Sequence, residues 1–212
     1  MPIRETFWNI PAWAETVQYI LAVVVLLVFI YGITRRILRW RKGQPEKRPG
    51  HFWERIWSLV VQVFAQRRTL DELYPGIMHF SIFWGMLTLA VGTALATVDW
   101  DFTHLFFGFQ FLKDGIYVAY ELVLDLLGLL VILGLGMAIY RRYISRPARL
   151  QNQPVKSLPA DDAFILILLT LIALSGYLTE GLRIAVMRPA WADWSPIGKL
   201  IEALTSPSCN SL

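Results

Sequence analysis

A single histidine, His79, interrupts an otherwise uncharged stretch at residues 73–98. That stretch exceeds the roughly 20 residues a helix needs to cross the hydrocarbon core of a bilayer. An ionisable ring inside it is costly, so it faces protein, water or a cofactor rather than lipid. A neutral imidazole there can ligate a haem iron, or it can simply hydrogen-bond to a neighbouring helix. His79 lies three residues past Gly76, roughly 5 Å further along its helix by helical rise. Ser81, Gly85, Gly92 and Ala96 form a stripe of small residues suited to close helix contact. At about 100° per residue, that stripe points roughly 200–260° away from His79, so the histidine faces a different space from the seam.

Two carboxylates, Glu121 and Asp125, stand four residues apart on one face of another apolar stretch. Buried carboxylates can relay protons or bind a quinol hydroxyl. The alternative is that Glu121 reaches the interface while Asp125 pairs within a helix bundle. Glu180 and Arg183, spaced i, i+3, end the last apolar stretch, where a helix-end ion pair accounts for them. Arg183 could also pair with Asp125 or meet a cofactor carboxylate. His51 lies among basic residues and His104 follows Asp99 and Asp101, so both read as surface histidines. His104 and His79 fall on opposite sides of the bilayer and do not share one iron. The one cysteine, Cys209, excludes an intrachain disulfide and a multi-cysteine metal site, and with them iron–sulfur chemistry within this chain.

The elements that must position these groups are apolar helices. Of 212 residues, 56% are hydrophobic and only 17% charged, against roughly 45–50% and 25% in soluble domains. The expected fold is an all-α integral membrane bundle of four spans, at about residues 16–34, 73–98, 115–140 and 163–180, within one domain covering residues 1–205. Each span satisfies its own backbone where water is absent. The first could pass for a signal peptide, but it lacks a basic leader and a cleavage site, and its arginines follow the apolar run; it reads as a retained helix. Residues 206–212 read as a polar tail.

The net charge of +4 does not point to nucleic acid, because the basic residues flank apolar segments. Fifteen of the twenty lysines and arginines fall between the first and second spans or after the third. The positive-inside rule puts both those loops in the cytoplasm of a cell (plasma or inner) membrane, with both termini outside. Trp53, Ile56, Trp57, Val60, Val61 and Phe64 recur at helical spacing in the first loop. They predict an amphipathic helix at the membrane surface, or else a partner-docking helix. Trp100, Trp191 and Trp194 read as interfacial anchors.

The order of these pieces resembles the membrane domain of the respiratory nitrate reductase gamma-subunit family. It is closer still to the N-terminal cytochrome b-type domain of heterodisulfide-reductase-like iron–sulfur proteins. Tyr74-Pro-Gly-Ile-Met-His79-Phe-Ser-Ile-Phe-Trp-Gly85, Tyr120-Glu-Leu-Val-Leu-Asp125-Leu-Leu-Gly128 and Glu180-Gly-Leu-Arg-Ile-Ala185 carry the resemblance, with Tyr140-Arg-Arg-Tyr143 and Trp194-Ser-Pro-Ile-Gly198. It implies haem b, with His79 as an axial ligand, and electron transfer between a quinone pool and an iron–sulfur partner on the cytoplasmic side. Leu89 stands where the nitrate reductase subunit has a second histidine. The remaining axial histidines of such relatives lie on a fifth span that this sequence does not include, so the resemblance implies a short or split form whose partner histidine comes from a further transmembrane chain. A scaffold or anchor without haem is the competing expectation.

Overall fold

The computed structural model describes residues 6–7, 9–43, 50–147 and 159–205. The basic residues Lys47, Arg48, Arg149 and Lys156, Cys209 and the polar segment 206–212 lie outside them. The chain divides into a small unit, Glu5–Ser58, and a larger one beginning at Leu59. Among the described residues the regular secondary structure is helical. Four helices are long and apolar enough to cross a bilayer, which makes this a membrane protein.

In the small unit, α1 (Ala12–Trp40) has 29 residues and buries none of them. Its apolar centre therefore presents a continuous hydrocarbon-compatible surface, with Arg35, Arg36 and Arg39 gathered at its C-terminal end. The expected amphipathic helix follows as α2 (Phe52–Leu59), which a π-turn at Val60–Phe64 extends. His51 pairs with Glu54 at 2.8 Å on this exposed surface.

The larger unit is built on α3 (Leu73–Thr97) and α4 (Asp114–Ile139), which run antiparallel. The small-residue stripe is their seam: Ser81, Gly85, Gly92 and Ala96 are all buried. A Cβ at Gly85 would fall 2.8 Å from the Leu127 carbonyl oxygen. Only glycine permits that approach, and the helices gain dispersion contact along its length. Two cross-links pin the register: Tyr74 Oη donates to the Met137 carbonyl at 3.0 Å, and Tyr120 Oη donates to the Gly92 carbonyl at 3.1 Å.

α3 continues through a π-turn at Val98–His104 and a short turn at Leu105–Phe107, and stops at Gly108, whose φ of 70° lies in the left-handed region. Asp99, 1% exposed, cinches the return loop by accepting from the Phe111 and Leu112 amides at 2.6 and 2.9 Å. α4 ends in a π-turn at Tyr140–Ser145, closed by Arg146 in the left-handed region before Pro147.

α5 (Pro159–Met187) runs two turns beyond Glu180, so the helix extends past the expected span. Glu180 and Arg183 lie inside this helix rather than at its end, where neighbouring side chains shield them and Tyr117 and Trp191 meet Arg183. A 3₁₀ turn at Ala192–Trp194 then leads into α6 (Pro196–Thr205), which folds back so that Ile201 meets Gly181. Trp191 is a second correction. It is 4% exposed and packs with Ala96, Leu112, Tyr117 and Ile184 in the core rather than anchoring at an interface.

Candidate functional site

The candidate residues separate into two groups at opposite ends of the larger unit. His79 is level with Gly134, whose neighbours are Met78 and Ile82, whereas Glu121 and Asp125 flank Leu124, which packs on Gly92. Thirteen residues of α3 separate the two levels, about 20 Å along the axis at 1.5 Å per residue.

His79 lies on an exposed part of α3, away from the seam. Its Nδ1 is 3.0 Å from Oε1 of Gln66. With the carboxamide oxygen facing the ring, Nδ1 would donate and Nε2 would carry the lone pair. Phe83, one turn on, lies nearly parallel to the imidazole at 14° and 6.5 Å between centroids.

Gln66 is 3% exposed and has a φ of 50°. Its carbonyl accepts from the Thr69 and Leu70 amides at 2.9 and 3.0 Å, forming a tight turn. That turn lies directly against α3, because a Cβ on Gly76 would fall 2.7 Å from the Thr69 carbonyl oxygen. Trp84 Nε1 donates to the Phe64 carbonyl at 3.0 Å and fixes the preceding residues.

These groups fit a haem axial ligand. The second nitrogen of a ligating histidine is normally held by an acceptor that fixes ring orientation and tautomer, and Gln66 meets that requirement. His104 lies at the other end of the unit, stacked on Trp100 at 4.5 Å. Among the described residues no cluster of three or more His, Cys, Asp or Glu converges on a point.

At the opposite end, Asp125 is 6% exposed. Its carboxylate accepts from the Ile197 and Gly198 amides at 2.8 and 3.3 Å and from Ser195 Oγ at 3.2 Å. Pro196 opens α6 without an N–H to satisfy. Asp125 therefore caps α6 across the bundle, placing negative charge at the positive end of the helix dipole. Tyr177 Oη donates to the Asp125 carbonyl.

Glu121 differs: Tyr117 Oη donates to its carboxylate, and Arg183 Nη2 in turn donates to Tyr117 Oη at 3.0 Å. Arg183 also lies 3.9 Å from Glu180 and 4.8 Å above the Trp191 ring. The expected alternatives thus separate. Arg183 engages Tyr117, Glu180 and Trp191 rather than Asp125.

Between α4 and α5 a cleft of about 260 Å³ is lined by Leu89, Leu124, Gly128, Ile172, Gly176 and Tyr177, with Glu121, Asp125 and Glu180 at one end. Gly176 lines it, and a Cβ there would meet nothing within 4 Å. Outside it, Lys199 pairs with Asp193, which holds the ammonium pKa above its ordinary value.

Sequence reasoning missed Gln66, Tyr117 and α6. Ser195-Pro196 followed by Ile197, Leu200, Ile201 and Leu204 is a helix-start signal with an apolar face. Tyr117 sits one turn before Glu121, within reach of an i, i+4 partner. Nothing local marks Gln66.

The chain is similar to two curated oxidoreductases. The EtfAB:quinone oxidoreductase of Syntrophomonas wolfei is 31% identical over 186 residues, 87% of this chain and 24% of that protein. The probable iron-sulfur-binding oxidoreductase FadF of Bacillus subtilis is 27% identical over 133 residues, 63% of this chain and 18% of that protein. This chain therefore spans a quarter or less of the length of these relatives. No family model matches it, and neither does any solved structure. The chain is thus related to oxidoreductases, one of them named for quinone and one for iron–sulfur binding, while likeness to the nitrate reductase subunit rests on the sequence motifs alone.

Proposed function

We propose that this chain is a membrane electron-transfer component of a quinone-linked oxidoreductase, holding haem b through His79 and exchanging electrons with an iron–sulfur partner. The observation that carries this reading is the imidazole inside a membrane-spanning helix. Its Nδ1 lies 3.0 Å from a buried carboxamide oxygen, an arrangement that would leave Nε2 as the ligand nitrogen. The similarity to one oxidoreductase named for quinone and another named for iron–sulfur binding supports it. When bound, a haem ligated by two histidines transfers single electrons, and this chain supplies one of the two.

The turn carrying Arg67 and Arg68 and the turn carrying Arg141 and Arg142 lie at the His79 end of the bundle. The positive-inside rule assigns that end to the cytoplasmic face of the cell membrane, where an iron–sulfur partner docks. On this reading His79 would hold the haem from the exposed face of α3, and the second ligand would come from outside the described residues. At the other end, the mostly apolar α4–α5 cleft would take a quinone headgroup, with Glu121 as the carboxylate to accept a quinol proton. Asp125 also lines the cleft, and its contacts with the Ile197 and Gly198 amides give it a capping role there, so Glu121 is the carboxylate favoured for the proton.

Reduced-minus-oxidised spectra of the intact complex test the haem. A Soret band and α-band are expected in the wild type and lost in His79→Ala. An assembled complex without haem favours the anchor or scaffold reading. For quinone, Gly176→Leu fills the cleft where no atom stands in the way, and it is expected to slow quinol-analogue turnover while leaving the haem spectrum unchanged.

A further inference from the structure

We infer that Gln66 is a positioning residue for His79, fixing its tautomer and the basicity of Nε2. This rests on the haem reading for its consequences, but the tautomer itself does not. The geometry is specific. The Gln66 side chain crosses from the turn before α3 to the second turn of α3 and ends 3.0 Å from Nδ1.

Three fastenings hold the turn in place. They are the Trp84–Phe64 hydrogen bond, the close approach of Thr69 and Leu70 to Gly76, and the two amides that close on the Gln66 carbonyl. A side chain supported in this way delivers its carbonyl to a defined point, which is what orientation of a metal ligand requires.

The costs at Gln66 argue against simple space-filling. Its backbone is left-handed, a conformation that favours glycine or asparagine. Its Nε2 is buried with no hydrogen-bond partner among the described residues. A leucine would fill the same volume without an orphaned donor. Strain and an unmet donor at one residue, whose other amide atom meets an imidazole, mark a position retained for that contact.

The choice of a neutral acceptor also matters. A carboxamide oxygen accepts the Nδ1 proton without drawing it away, so the imidazole stays neutral. A carboxylate in the same place would pull the ring towards imidazolate and strengthen its donation to iron.

The test uses the full chain in nanodiscs and the assembled complex. In the chain labelled with ¹⁵N-histidine, His79 is expected as a single Nδ1–H tautomer. Gln66→Leu is expected to give a mixture of tautomers, and isosteric Gln66→Glu to restore one tautomer. In the complex, Gln66→Leu is expected to weaken haem retention about 10- to 100-fold. Gln66→Glu is expected to retain haem and lower its midpoint potential.

An unchanged His79 tautomer in Gln66→Leu overturns the assignment. So does an unchanged midpoint potential in Gln66→Glu when haem is bound. A wild-type complex without haem, combined with the expected tautomer change, overturns the haem reading while Gln66 still positions the ring.

Discussion

Asp125 is the residue for which structure and sequence lead to different experiments. Its carboxylate accepts from two α6 amides and one hydroxyl at 2.8 to 3.3 Å, in a site that is 6% exposed. Asp125→Ala removes the acceptor from all three donors. Each orphaned donor costs about 1–3 kcal/mol, but the losses overlap, and about 3–5 kcal/mol is expected in total. Such a variant reads mainly as misfolding.

Asp125→Asn is the sharper perturbation. It keeps the shape and one acceptor oxygen, but turns an NH2 towards a donor that the other oxygen had met and loses the charge that faces the helix N-terminus. The cost expected is about 1–2 kcal/mol, in line with the loss of one cap. That corresponds to a factor of roughly 5–30 in the opening equilibrium of α6. Hydrogen exchange of the Ile197 and Gly198 amides in nanodiscs reads this directly, as faster exchange by that factor with α3 and α4 unaffected. Quinol turnover is expected to change only as far as α6 frays. Unchanged exchange accompanied by lost turnover would refute the capping argument and return Asp125 to the chemistry.

Other expectations follow from the same packing. Gly85→Ala forces a methyl against the Leu127 carbonyl and the α3–α4 seam apart, lowering stability by about 1–3 kcal/mol, whereas Gly176→Ala meets empty space and is neutral or stabilising by up to about 1 kcal/mol; thermal unfolding in detergent ranks the pair. Asp99→Ala strips the Phe111 and Leu112 amides of their acceptor, costing about 2–4 kcal/mol, and should open the loop before α4 to limited proteolysis. Trp191→Ala empties a site packed against Tyr117 and beneath Arg183, with about 3–5 kcal/mol lost. A true interfacial anchor at that position would instead cost little in detergent, so the same melting experiment distinguishes the two placements.

What could be read from the sequence was what depends on period and length. Four apolar stretches announce four helices because a bilayer-crossing helix has little freedom in composition. The small residues at 81, 85, 92 and 96 announce the seam because 3.6-residue periodicity gathers them on one side of α3. The same periodicity correctly set His79 apart from that seam. Local periodicity cannot, however, say what meets a polar group within the membrane.

Glu121 and Asp125 were equivalent by sequence, since both are carboxylates on one face of one helix. They differ only because the amides of Ile197 and Gly198, more than seventy residues away in sequence, fold onto Asp125. Trp191 was misplaced for the same reason: its aromatic and polar character suits an interface, and only the position of Tyr117 and Arg183 draws it inward.

An ionisable residue in a span signals that a partner exists, without telling whether the partner is backbone, side chain or ligand. For Asp125 the partner is backbone, and for Arg183 it is the Tyr117–Glu180–Trp191 group. At His79 the partner among the described residues is the Gln66 carboxamide at Nδ1, and the proposed reading gives Nε2 to a ligand.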